Sequence, residues 1–108
     1  MLEGVDRRTR RSAVPREALW MFLSESRKRL GAHALAVSTG SGRLVAGSGD
    51  GALLVAVAGA RVAAGGSAPC DVAVSRLRVG DERYVVASLG RAIDDDVAAG
   101  VRRILSAA

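Results

Sequence analysis

The sequence has no asparagine and no glutamine, and only one cysteine, one histidine and one lysine among its 108 residues. Without amide side chains, which usually contact adenine in the major groove, base recognition would depend on arginine alone. Cys70 cannot form an internal disulfide, and no second thiol or base stands beside it in the sequence. His33 has no neighbour at metal-ligand spacing. The sequence therefore predicts no catalytic residue, metal ligand or cofactor-binding residue, and no enzyme.

Aromatic residues and long apolar runs are also scarce. Aromatics make up 3% of the chain, so the 49% of hydrophobic residues are mostly alanine, valine and leucine. The longest apolar run, residues 51–60, is shorter than the roughly 20 residues that a membrane span requires. No signal-peptide hydrophobic region follows Met1. We therefore expect a folded protein of the cytoplasm, with no membrane span.

Basic charge is concentrated at the start of the chain. The formal net charge is +5, and four arginines, Arg7, Arg8, Arg10 and Arg11, fall within the first twelve residues. These residues have little apolar periodicity, which predicts a flexible basic arm over residues 1–14 and a domain over residues 15–108. The arm is a candidate site for an anionic partner, although its lack of interleaved aromatics argues against nucleic acid.

Apolar spacing and turn residues predict helix, two strands, helix, two or three strands, helix. Pro15 is expected to start the first helix, and Asp50 to cap the second, over residues 51–64. Strands are predicted over residues 32–39, 43–47, 71–79 and 83–89. In the third predicted strand the alternation of apolar and polar residues changes phase near residues 75–76, which suggests a bulge or a break into two short strands there.

The second predicted helix is apolar almost all round, with Arg61 its only charge. A helix on the outside of a small domain normally keeps one polar face, so both faces of this one should be covered. Small residues at Ala56, Gly59, Ala60 and Ala63 would let a second copy of the helix approach closely. The alternative is a central helix buried wholly within one chain.

Two motifs have simpler explanations than a ligand site. Residues 47–52 match G-x-G-x-x-A, but a dinucleotide-binding unit requires a parallel crossover, and these residues follow a predicted hairpin. Asp94, Asp95 and Asp96 could be offered to Mg²⁺, yet consecutive carboxylates at a helix start point to different sides. Helix capping and the helix dipole explain them.

Three stretches resemble the Roadblock / dynein light chain family: residues 31–49 (GAHALAVSTGSGRLVAGSG), the apolar helix that follows, and residues 81–90 with 100–105 (DERYVVASLG and GVRRIL). The resemblance implies a three-layer α/β/α sandwich with three helices and a central antiparallel sheet of four to five strands. It further implies dimers formed through the middle helix and an edge strand. By position, the implied dimer interface comprises Leu53, Leu54, Val57, Ala60, Arg61, Val62, Val72 and Val74.

The resemblance implies a non-enzymatic, homodimeric adaptor that binds a small Ras-like GTPase or a paralogous Roadblock protein, in a process such as bacterial cell polarity or motility. One alternative is a GTPase-activating protein for a Ras-like GTPase. Another, of a different class, is a module that binds an anionic surface or nucleic acid through the arm.

Overall fold

Seven elements follow one another in the computed structural model, which describes residues 2–67 and 71–107, with side chains from residue 16 onward. The helices are α1 (Leu2–Leu30), α2 (Ala52–Ala63) and α3 (Asp95–Ser106). The strands are β1 (Ala34–Thr39), β2 (Leu44–Gly49), β3 (Val72–Val79) and β4 (Glu82–Leu89). The order α-β-β-α-β-β-α is the predicted one, with four strands in the described residues.

The strands form one antiparallel sheet in the order β2-β1-β4-β3, which leaves β2 and β3 at its edges. The predicted slip in β3 is wrong, because β3 pairs with β4 without interruption from Val72 opposite Leu89 to Val79 opposite Glu82. An edge strand is only partly buried on both sides, so strict alternation of polar and apolar residues is not imposed there. The irregularity lies instead in the β1–β2 pairing, between Val37 and Ser38.

Alternate residues of the central strands supply two separate cores. Leu35 and Val37 of β1 and Val86 of β4 face α1 and α3, where they pack with buried side chains such as Leu23 and Val101. The opposite sheet face is lined by smaller residues, Ala34, Ala36 and Ala87, which pack against Val55 and Ala56 of α2. Two helices on one face and one on the other confirm the predicted α/β/α sandwich.

Two predicted helix starts are wrong. Helix α1 begins at Leu2 and runs past Pro15, because the preceding residues include good helix formers such as arginine, leucine and glutamate. Helix α2 is capped by Gly51 in the left-handed conformation, with no side-chain hydrogen bond from Asp50. Glycine adopts that backbone conformation without steric cost, so the turn itself sets the helix start.

Asp94 is the cap that the sequence predicts for α3. Its carboxylate accepts a hydrogen bond from the Val97 backbone N–H at 2.9 Å. It also accepts one from the Arg29 guanidinium at 2.8 Å, which ties the end of α1 to the start of α3. One carboxylate thus satisfies a helix N-terminus and fixes the position of α3 beside α1.

Candidate protein–protein interface

Helix α2 turns its small residues toward its own sheet. Val55, Ala56, Gly59 and Ala60 are buried, and a Cβ added at Gly59 would lie 2.5 Å from the Cβ of Ala87 in β4. The small residues therefore serve close packing of helix on sheet within one chain. The prediction that they allow a second copy to approach is wrong for this side of the helix.

The opposite side of α2 carries large apolar side chains that the described chain leaves uncovered. Leu53 is 58% exposed, Leu54 74% and Val57 46%. A helix on the outside of a domain usually presents polar residues there. We call Leu53, Leu54 and Val57 the α2 outer face.

Strand β3 is the sheet edge on which the resemblance places further contacts. Val72 and Val74 are partly buried, on a strand that has β4 as its one neighbour within the described sheet. Val72 also packs against the core beneath α2. An edge strand has unpaired backbone N–H and C=O groups that can pair with another chain.

The predicted interface residues thus fall into three groups. Leu53, Leu54, Val57 and Arg61 are exposed, Val62, Val72 and Val74 are half-buried, and Ala60 lies inside the chain. The side chains of Arg7, Arg8, Arg10 and Arg11, and all of Cys70, lie outside the described residues. The interface, the arm and the boundary at residue 15 stay predictions.

No group of three histidine, cysteine, aspartate or glutamate side chains among the described residues could hold a metal ion. The glycine-rich stretch at residues 47–52 follows strand pairing that is antiparallel, unlike that of a dinucleotide-binding unit. None of the helices in the described part of the chain is long and apolar enough to cross a membrane. The absence of enzymatic activity stays a prediction.

Arg29 and Asp94 form the one ion pair found within residues 16–67 and 71–107. The hydrogen bond from Arg29 holds the pKa of the Asp94 carboxyl below its ordinary value of 3.8, and the Val97 N–H acts in the same direction. The same hydrogen bond raises the pKa of Arg29. Both side chains are exposed to solvent, so this pair orients helices more than it stabilises them.

Two further surfaces did not follow from the sequence patterns. Trp20 and Met21 of α1 are 55% and 58% exposed, and Trp20 lines a hollow of about 400 Å³ with Val45 and Ala46 of β2. A groove lined by arginines lies at the other edge of the sheet. Trp20 and Met21 lie just beside the apolar stripe of α1 in the sequence, and this position is the signal from which their exposed surface could have been predicted.

Comparison with known proteins gives a likeness in structure. No protein-family model and no curated protein matches the sequence. The chain is similar in structure to Myxococcus xanthus MglB, with a TM-score of 0.46 and 12% sequence identity over 83% of this chain and 84% of that one. A likeness at this level concerns the course of the chain alone.

Proposed function

We propose that the protein is a non-enzymatic adaptor that forms a homodimer through the α2 outer face and the β3 edge. The observation that carries the proposal is that the large apolar residues of α2 point away from its own sheet, where an outer helix normally has polar residues. In an isologous dimer the same patch meets itself, so Leu54 and Val57 would be covered by their counterparts. Arg61, the one charge on α2, would lie at the rim.

The energetics require both elements. Full burial of a leucine or valine side chain contributes about 1.5–3 kcal/mol, so the exposed fractions of the α2 outer face correspond to about 3–5 kcal/mol per protomer. The two protomers together gain about 6–10 kcal/mol from these faces, whereas association of two proteins costs about 4–15 kcal/mol in lost freedom. A stable dimer therefore needs additional contacts, and the open edge of β3 beside α2 is placed to supply backbone hydrogen bonds.

We further propose that this dimer binds a small Ras-like GTPase or a second Roadblock-type protein, in cell polarity or motility. The sequence resemblance supports this part of the proposal.

Sedimentation of a charge-insertion variant tests the dimer. Leu54→Glu places a carboxylate in the middle of the α2 outer face, whereas Met21→Glu places the same charge at a similarly exposed site on α1. We expect the wild-type chain of 11.1 kDa and Met21→Glu to sediment as dimers, and Leu54→Glu as a monomer. A monomeric wild type at micromolar concentrations, or a dimer that survives Leu54→Glu, would contradict the proposal.

Co-purification tests the partner. A tagged wild-type chain and the Leu54→Glu variant are used as baits at low and high salt, and bound proteins are identified by mass spectrometry. We expect a small GTPase or a Roadblock-type protein to be recovered by the wild type at high salt. Recovery of nucleic acid or lipid alone, lost at high salt and on removal of residues 1–12, would support the arm-based alternative instead.

A further inference from the structure

An arginine-lined groove of about 630 Å³ opens at the end of the sheet farthest from Val72 and Val74. Its walls come from the C-terminal end of α2, from the ends of β3 and β4 that adjoin their turn, and from α3. Leu77, Tyr84 and Val85 complete its lining, and Leu77 and Val85 are themselves buried. The lining contains four arginines and no carboxylate: Arg76, Arg78, Arg83 and Arg102. We call this surface the arginine groove.

The positive charge of the arginine groove is not balanced within the described residues. Their one ion pair joins Arg29 and Asp94, on other elements. Asp81 lies in the turn between β3 and β4 and Glu82 begins β4, yet their carboxylates form no ion pair with the groove arginines. Four guanidinium groups, each with several N–H donors, are therefore available to an external anion.

The register of the sheet makes this arrangement unfavourable in the free protein. Arg78 of β3 stands directly opposite Arg83 of β4 in the antiparallel pairing. Like charges at directly opposed positions destabilise a sheet. A bound anion between these two side chains would convert that repulsion into attraction.

Arg76 is held in place before any partner arrives. Its guanidinium donates a hydrogen bond of 2.7 Å to the carbonyl oxygen of Ala63, at the C-terminal end of α2. A cation at this helix end is favoured by the helix dipole. The contact uses one N–H group and leaves the remaining donors of Arg76 for a ligand.

The distribution of the arginines indicates an extended ligand. Arg76 contacts α2 on one face of the sheet, whereas Arg102 belongs to α3 on the other face. The four side chains therefore do not surround a single point, as a site for one phosphate would require. Carboxylates spaced along a peptide match such an arrangement, because guanidinium groups bind carboxylates in a bidentate manner.

Nucleic acid fits the arginine groove less well than an acidic peptide. Tyr84 is the one aromatic residue in its lining and is half-buried in the sheet. Single-stranded nucleic acid is usually held by several aromatic side chains on which successive bases stack.

We propose that the arginine groove binds a short acidic segment of a partner protein, with its carboxylates on Arg78, Arg83 and Arg102. The groove adjoins the proposed dimer contacts, because Arg76 lies two residues from Val74 on β3, whereas Arg78, Arg83 and Arg102 lie farther toward the turn between β3 and β4 or on α3.

Fluorescence anisotropy with a labelled octapeptide of alternating glutamate and valine tests the proposal. We expect Arg78→Gln combined with Arg83→Gln to weaken binding about tenfold or more. The matched control, Arg16→Gln combined with Arg91→Gln, removes the same charge from exposed positions outside the groove and should have little effect. Arg102→Gln, on the exposed side of α3, tests the groove without altering the sheet and should also weaken binding.

Three results would overturn the proposal. One is equal binding of a peptide with glutamine in place of glutamate. Another is equal loss of binding in the groove variants and the control variant, which would indicate general charge attraction. The third is preferential binding of a short oligothymidylate through the same arginines. Sedimentation of each variant is measured in parallel, so that loss of the dimer is distinguished from loss of the groove.

Discussion

Gly59 is the position at which a single methyl group should most clearly disturb the packing of α2 on the sheet. A Cβ at this residue would lie 2.5 Å from the Cβ of Ala87, which is itself buried. Carbon atoms in favourable contact are about 3.5–4.0 Å apart. The Cβ of Ala87 is fixed to the backbone of β4, so it cannot rotate away. Gly59→Ala therefore forces α2 to move outward by about 1 Å.

Two opposing effects decide whether Gly59→Ala raises or lowers the free energy of unfolding. Replacement of glycine by alanine inside a helix normally stabilises it by about 0.8–1.0 kcal/mol. Overpacking of a well-filled core typically costs about 1–3 kcal/mol. Because the contact joins two backbone-anchored groups, we expect overpacking to prevail and the free energy of unfolding to fall by about 1–2 kcal/mol. An outward shift of α2 should also displace the α2 outer face.

Urea denaturation of four proteins measures this effect: wild type, Gly59→Ala, Ala87→Gly and the double variant. Removal of the Ala87 methyl group restores the space, so the two substitutions together should cost at least about 1 kcal/mol less than the sum of the single ones. All four are compared at one protomer concentration, because dimerisation alters apparent stability. A more stable Gly59→Ala variant, or strict additivity, would refute the reasoning.

Two other changes probe buried and charged groups. Ser88 Oγ is buried and has no hydrogen-bond partner within the described residues, so Ser88→Ala should raise the free energy of unfolding by about 1 kcal/mol; a loss of that size would show that the hydroxyl is bonded. The pKa of Asp94 is lowered in the fold, so its charge stabilises the protein above the ordinary value of 3.8 and ceases to do so as the pH falls through the lowered pKa. Asp94→Asn retains a capping oxygen but removes the charge, and its urea midpoint should approach that of the wild type below that pKa; a constant difference across the acid range would contradict this assignment.

Much of the fold could be predicted because local patterns and tertiary packing agree. Leu19 and Leu23 repeat at helical spacing and are buried on α1. Leu35 and Val37 alternate with Ala34 and Ala36, and the two sets enter different cores. Glycine-rich turns between these segments limited the possible connections. The order of the elements and the layers followed from these signals.

The start of α1 shows where local signals fail. Proline is favoured in the first turn of a helix, so Pro15 was a reasonable start, but the same residue can also lie within a longer helix. Local signals also fail to indicate which face of α2 packs against its own sheet. Helix periodicity separates a polar face from an apolar face, and α2 has almost no polar residues to mark its outside.

The arginine groove depends on pairing register, which composition does not reveal. Arg76 and Arg78 alternate along a predicted strand, and Arg83 opens the next one. A tight turn at Gly80 and Asp81 would have placed Arg78 opposite Arg83, and that is the register observed. The signal was present, but Arg102 joins the cluster from α3, nineteen residues beyond Arg83 in the sequence. A tertiary contact of that kind requires the assembled fold.

The arrangement of α2 changes the physical basis of the proposed dimer without removing it. Had its small residues faced a partner, the contact would have depended on close approach of two helix backbones. In the structure those residues bring α2 close to its own sheet, with Gly59 against Ala87. The larger Leu53, Leu54 and Val57 are consequently left outside, where they have far more apolar surface to bury. The same residue distribution that packs α2 tightly within one chain therefore gives it an apolar face for another.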